Sequence, residues 1–199
     1  MLCTDGSKGT SDRSIIMEQL IDMRHREQKE AGKVLGLKDV VFLDYPDGYL
    51  EPTLELRKDI TRQIRRWKPD LLITTNPNRD LRNGGYLGHP DHFAAGEATL
   101  SAIYPSARDH LTFPGLLDEE GLDTHKVREV WVMMFGEEAN RFNPLEEVDI
   151  ETSIRALHSH ASQIKDPEES GKWMRQRRKD LGAKIGADFA EAFKAFKLG

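Results

Sequence analysis

Apolar positions alternate along the chain between helical and extended spacing. Ile16, Leu20, Met23, Ala31, Val34 and Leu35 fall near one stripe, which predicts a helix over 15–35 with Gly36 as its stop. The short run 40–43 (Val, Val, Phe, Leu) reads as a buried strand that enters the turn Asp44-Tyr45-Pro46-Asp47-Gly48. Leu56, Ile60, Ile64 and Trp67 share one face of a helix over 54–67, and a strand over 70–75 follows. Next come a loop rich in turn-formers, a helix over 90–104 and a strand over 129–135, with a short edge strand expected at 148–150. Residues 154–163 and 171–196 read as helices, the second packing Leu181, Ile185, Phe189, Phe193 and Phe196 on the sheet. Trp67, Trp131 and Trp173 lie on apolar stripes and are expected in the core. Met1 to Thr4 reads as the tail of a strand. This alternation predicts an α/β fold with a mostly parallel sheet and helices on both faces. Ligands of such folds bind at the carboxyl ends of the strands, the rim on which Asp5, Asp47 and the stretch 89–92 all fall.

At 199 residues the length suits a single domain over 1–199. Net charge is −5 and no basic block exceeds short pieces such as 175–179, so nucleic-acid binding is disfavoured. The one cysteine, Cys3, excludes an intramolecular disulfide and a cysteine-rich zinc site, and a cytoplasmic setting is the simplest fit. No apolar run approaches the ~20 residues of a membrane span, and the first residues lack a charged-then-apolar signal pattern. The loop 5–10 lacks the full phosphate-cradling pattern, and no Gly-x-Gly-x-x-Gly follows a strand, which disfavours a nucleotide-binding domain.

The stretch Gly88-His89-Pro90-Asp91-His92 carries the most chemistry. Proline is favoured at the first helical position, where its missing N–H would be unpaired anyway. His89 is therefore the expected N-cap, with Asp91 and His92 in the first turn. Neutral imidazole is a common zinc ligand, but a site needs three or four donors, so two solvated histidines at a helix start are the plain alternative.

Several segments resemble, in order, the PIG-L/LmbE family of zinc-dependent N-acetylglucosamine-type deacetylases. They are Thr4-Asp5-Gly6-x-x-Gly9, Arg24-x-x-Glu27-x-x-x-Ala31-x-x-x-Leu35-Gly36, Phe42 to Gly48, Gly88 to His92, Ala156-Leu157-x-x-His160-Ala161-Ser162-Gln163 and Ala190 to Phe193. The resemblance implies a Rossmann-like fold. It also shows a departure: the family's opening Ala-His-Pro-Asp-Asp-Glu strand end, with two zinc ligands and the general base, is absent from this sequence. We therefore expect an N-terminally truncated domain lacking the family's first strand and helix, either a fragment or a chain whose start is assigned too far downstream.

The implied activity is zinc-assisted hydrolysis of an N-acetyl group on an amino sugar or its conjugate, a small-molecule partner, with a homo-oligomer left open. His92 would be the retained metal ligand and His89 the imidazole that stabilises the oxyanion and helps the amine leave. Asp91 would orient them, or simply be a favourable anion at a helix N-terminus. Arg24 and Asp47 match positions that grip sugar hydroxyls, with an Arg24–Glu27 surface ion pair as the alternative. Tyr86 could assist the oxyanion, and His160 and Gln163 resemble a pocket-lining pair, or belong to a core helix. A non-catalytic carbohydrate-binding remnant is the competing function.

Overall fold

A computed structural model describes residues 1–81, 87–134 and 138–199. In chain order its elements are β1 (Leu2–Thr4), α1 (Met17–Val34), β2 (Phe42–Tyr45), α2 (Leu54–Trp67), β3 (Leu71–Thr74), α3 (Pro90–Ser101), α4 (Gly115–Asp118), β4 (Glu129–Met133), β5 (Arg141–Leu145), α5 (Glu147–His158), α6 (Pro167–Ala183) and β6 (Phe189–Lys197). The fold is mixed α/β. It divides into two compact units: Met1–Asp47 with Phe142–Ala192, and Gly48–Arg141 with Phe193–Gly199.

In the first unit β1 and β2 pair in parallel, Leu2 opposite Phe42 and Thr4 opposite Tyr45, with an irregular register between. Helix α1 joins them and packs on α5, which packs on α6. Leu20, Ala31 and Ile150 carry the buried faces of α1 and α5. The N-terminus of α5 is made by a reciprocal cap in which Asp149 Oδ2 accepts the Glu146 N–H at 2.8 Å. Val148 to Ile150 is thus the first turn of α5 and not the edge strand expected from its apolar residues.

In the second unit β3 runs parallel to β4, Leu71 opposite Glu129 through Thr74 opposite Val132. Strand β4 runs antiparallel to the end of β6, with Val130 opposite Phe196 and Met133 opposite Phe193. Thr53 caps α2 by accepting the Leu56 N–H at 3.2 Å. Leu56 and Ile60, both at 0% exposure, then pack α2 toward α3 and the π-type turn Ala102–Ser106 that follows it. Arg65 enters this core as well. Its Nη2 donates to the carbonyls of Ser106, Asp109 and Thr112 at 2.9, 2.7 and 3.0 Å. Burial lowers the Arg65 pKa, opposed by the charges of Asp109 and Asp123.

The expected helix over 171–196 is two elements. Helix α6 ends at Ala183, Gly186 turns the chain at φ +71°, and 189–197 is a strand. Phe189 and Phe193 are four residues apart, a spacing that fits one turn of helix and two strand repeats equally. Strand β5, which neighbours β6, was not expected; its five residues include Asn143 and Pro144 and show no alternation. Trp67 and Trp173 are 42% and 58% exposed rather than core residues, while Trp131 is half-buried, donating to Glu129 and contacting Phe193. The expected strand over 129–135 stops at Met133, and Phe135 lies outside the described residues. No helix among the described residues is long and apolar enough to cross a membrane.

Candidate active site

Helix α3 begins beside the exit of β3. His89 has extended backbone angles (φ −83°, ψ 132°), Pro90 is the first helical residue, and His89 Nδ1 accepts the Asp91 N–H at 3.3 Å. His89 is thus the N-cap expected from the proline. Thr75 Oγ1 donates to the His92 carbonyl at 2.6 Å and ties the helix start to the strand exit. Gly96 completes this seating: a Cβ there would lie 2.6 Å from the Thr75 carbonyl oxygen and 2.9 Å from Pro77 N, so only glycine lets α3 approach so closely.

Asp91 is 5% exposed. Its Oδ2 accepts the Gly48 N–H at 2.7 Å and its Oδ1 the Leu50 N–H at 3.3 Å. The carboxylate therefore fixes the backbone just after Asp47. The His89 and His92 rings sit 5.6 Å apart, tilted by 43°, and both residues are exposed. With Nδ1 accepting, neutral His89 carries its proton on Nε2, which makes it a hydrogen-bond donor. Arg79 braces the entry to this turn. Its Nη1 donates to the carbonyls of Leu87 and Gly88, and its guanidinium lies 4.7 Å over the Phe93 ring.

In the first unit the loops after β1 and β2 meet. Asp5 Oδ1 accepts the N–H groups of Ser7 and Asp47 at 2.9 and 3.0 Å. Arg24 Nη1 donates to the Gly6 carbonyl at 2.7 Å and pairs with Asp47 Oδ2 at 3.4 Å; the two side chains are 13% and 17% exposed. Lys8 N–H reaches the same Asp47 oxygen at 3.3 Å. Arg24 is thus held by Asp47 and not by the Glu27 of the surface-pair alternative. Glu27 instead accepts the Ser162 N–H and Oγ–H at 2.6 and 2.7 Å.

His160 and Gln163 lie in the turn after α5, where the His160 carbonyl accepts the Gln163 and Ile164 N–H groups at 2.9 and 3.0 Å. His160 is half-buried and Gln163 exposed. Tyr86 lies outside the described residues. Two further contributors, Arg79 and Ser162, were given no role by sequence reasoning: Arg79 braces carbonyls eight and nine residues on, and Ser162 meets Glu27, 135 residues away.

Imidazole nitrogen is a donor of the right chemistry for zinc. His89 and His92 offer it, and each Asp91 oxygen, while accepting one backbone N–H, keeps a further lone pair for a cation.

An α/β fold whose strand-end helix begins with this His-x-x-His turn, and whose β2 loop carries an Arg-paired carboxylate, defines a class of strand-end ligand sites. The chain belongs to the PIG-L family: residues 1–103 match the family described as GlcNAc-PI de-N-acetylase. It is 32% identical over 164 residues to the diacetylchitobiose deacetylase of Thermococcus kodakarensis, covering 82% of this chain and 58% of that protein. It is 38% identical over 88 residues to a probable N-acetyl-alpha-D-glucosaminyl L-malate deacetylase 2 of Bacillus anthracis, covering 43% of this chain and 36% of that one. The structure of N,N'-diacetylchitobiose deacetylase from Pyrococcus horikoshii matches with a TM-score of 0.86 at 26% identity, over 98% of this chain and 72% of that one. The chain thus spans 58% and 36% of the lengths of the two curated relatives.

Proposed function

We propose that this protein hydrolyses the N-acetyl group of an N-acetylglucosamine-type sugar or sugar conjugate, with zinc as its metal. Family membership and the names of the similar proteins support the substrate class. The observation that carries the mechanism is the His89 N-cap, whose engaged Nδ1 leaves the proton on Nε2. His89 Nε2–H then donates a hydrogen bond to the oxyanion that forms on the acyl group, and the amine leaves with the proton that the attacking water gives up. His92 serves as a metal ligand. A bound zinc would supply a water of pKa near ~7 and polarise the acyl oxygen. Asp91 orients the turn by holding the Gly48 and Leu50 N–H groups. By the family resemblance, Arg24 and Asp47 grip sugar hydroxyls, and Tyr86, His160 and Gln163 are further candidates for substrate binding.

The test uses the full chain. Zinc content is measured by mass spectrometry, and acetate release is measured from N,N'-diacetylchitobiose. His92→Ala should lose both zinc and activity. His89→Gln should keep the zinc and lower kcat by roughly 10²–10⁴. Sugar binding in calorimetry without stoichiometric zinc or acetate would instead support the non-catalytic carbohydrate-binding remnant.

A further inference from the structure

We propose that Asp5 is the positioning residue of the sugar grip: a single oxygen of its carboxylate holds both Arg24 and Asp47 in place. This rests on the reading above that those two side chains hold sugar hydroxyls, and it adds the residue that sets their spacing. All three lie in the first unit.

Asp5 follows β1 directly, and its N–H donates to the Tyr45 carbonyl at 2.9 Å, one bond beyond the paired Thr4. The backbone is therefore fixed before the loop begins. Asp5 Oδ1 then accepts two N–H groups. The one from Ser7, at 2.9 Å, closes the tight turn that an aspartate makes with the residue two positions on. The one from Asp47, at 3.0 Å, spans 42 residues of sequence and joins the loop after β1 to the loop after β2.

Each bond fixes one side of the grip. The turn on Ser7 encloses Gly6, whose carbonyl accepts from Arg24 Nη1 at 2.7 Å, and the Arg24 stem lies so close that a Cβ at Gly6 would sit 2.7 Å from its Cδ. The bond from Asp47 N–H fixes the backbone from which the Asp47 carboxylate reaches Arg24 at 3.4 Å and the Lys8 N–H at 3.3 Å. Ser7 is 7% exposed, so the loop is packed against the unit and does not swing in solvent. A guanidinium and a carboxylate serve the hydroxyls of one ring only at a fixed spacing, and a shift of about 1 Å already forfeits much of the binding. Both bonds fall on Oδ1, and the side-chain oxygen of asparagine offers the same two lone pairs. The role therefore needs that oxygen and not the charge.

The experiment follows the full, isotope-labelled chain by NMR while glucosamine, a sugar with no acetyl group to lose, is added. In the wild type the Asp47 amide hydrogen should exchange with solvent at least about tenfold more slowly than an open loop amide. Fast exchange there overturns the proposal without any variant. Asp5→Ala should free that amide and weaken glucosamine about three- to thirtyfold, within the worth of one charged hydrogen bond. Asp5→Asn should keep the amide protected and bind within about twofold of wild type, a rescue that a change in melting temperature alone would not produce. Asp5→Ala and Asp47→Ala together should weaken glucosamine by less than the product of their separate effects, because the first acts through the second. Effects that multiply would mean that Asp5 touches the sugar itself, and overturn the positioning role, as would unchanged affinity in Asp5→Ala. Asp5-dependent glucosamine binding by a wild-type chain that releases no acetate from N,N'-diacetylchitobiose would sink the deacetylase reading and leave the positioning role standing. A wild type that binds no glucosamine overturns both.

Discussion

Gly88→Ala tests how the histidine turn is held. Gly88 has φ +76°, and a Cβ built on it would meet Phe93 Cζ at 2.3 Å and Cε2 at 2.9 Å. Two effects add. An L-residue in the left-handed region costs roughly 1–2 kcal/mol. Forcing a methyl into an occupied space costs about 1–3 kcal/mol more, because the Phe93 ring must leave its place beneath the Arg79 guanidinium. The expected loss is roughly 2–5 kcal/mol. Gly36→Ala is the internal control: φ is +69° and nothing lies within 4 Å, so only the backbone effect remains. Urea unfolding monitored by circular dichroism measures both, compared through the midpoint at constant slope. Removing the ring in Gly88→Ala/Phe93→Ala should recover the clash and give a coupling of about 1–3 kcal/mol between the sites. If Gly88→Ala and Gly36→Ala destabilise equally within about 0.5 kcal/mol, the packing of Phe93 against Gly88 does not set the turn and the reasoning fails.

Two further outcomes are expected. Asp91→Asn keeps the shape but turns an amide N–H toward either the Gly48 or the Leu50 N–H, leaving a buried donor facing a donor; stability should fall by about 1–3 kcal/mol, and an unchanged urea midpoint would refute the assigned bonds. The Thr112 hydroxyl and then the Leu111 N–H hold the Asp109 carboxyl below the usual carboxylate range. Its folded pKa is thus below its unfolded value near ~3.9, so its stabilisation is complete above that value and is lost as pH falls through the folded one. Asp109→Asn should flatten the acid side of the urea-midpoint curve below about pH 4, and parallel curves for wild type and variant would contradict this.

What the sequence by itself determined is what local physics controls. The N-cap at His89 follows from Pro90, because a proline ring presets the first helical residue and the residue before it must be extended. The bounds of α2 at 54 and 67 follow from its apolar period and the Thr53 cap. The ordered motifs made family membership legible before any coordinates. Beyond neighbouring residues this legibility fails. Phe189 and Phe193 satisfy both periods, and only pairing with β4 makes 193–197 a strand. Arg24 has Glu27 one turn away in sequence, yet it pairs with Asp47, 23 residues on, because the loops after β1 and β2 meet there. Asp91 reads as an orienting group or an anion favoured at a helix N-terminus, and only the structure shows that it accepts N–H groups 43 and 41 residues away. Ser162 and Glu27, separated by 135 residues, carry no signal of each other at all. Periodicity and capping act over one turn or a few residues, whereas these partners are chosen by which loops the packed strands and helices bring together.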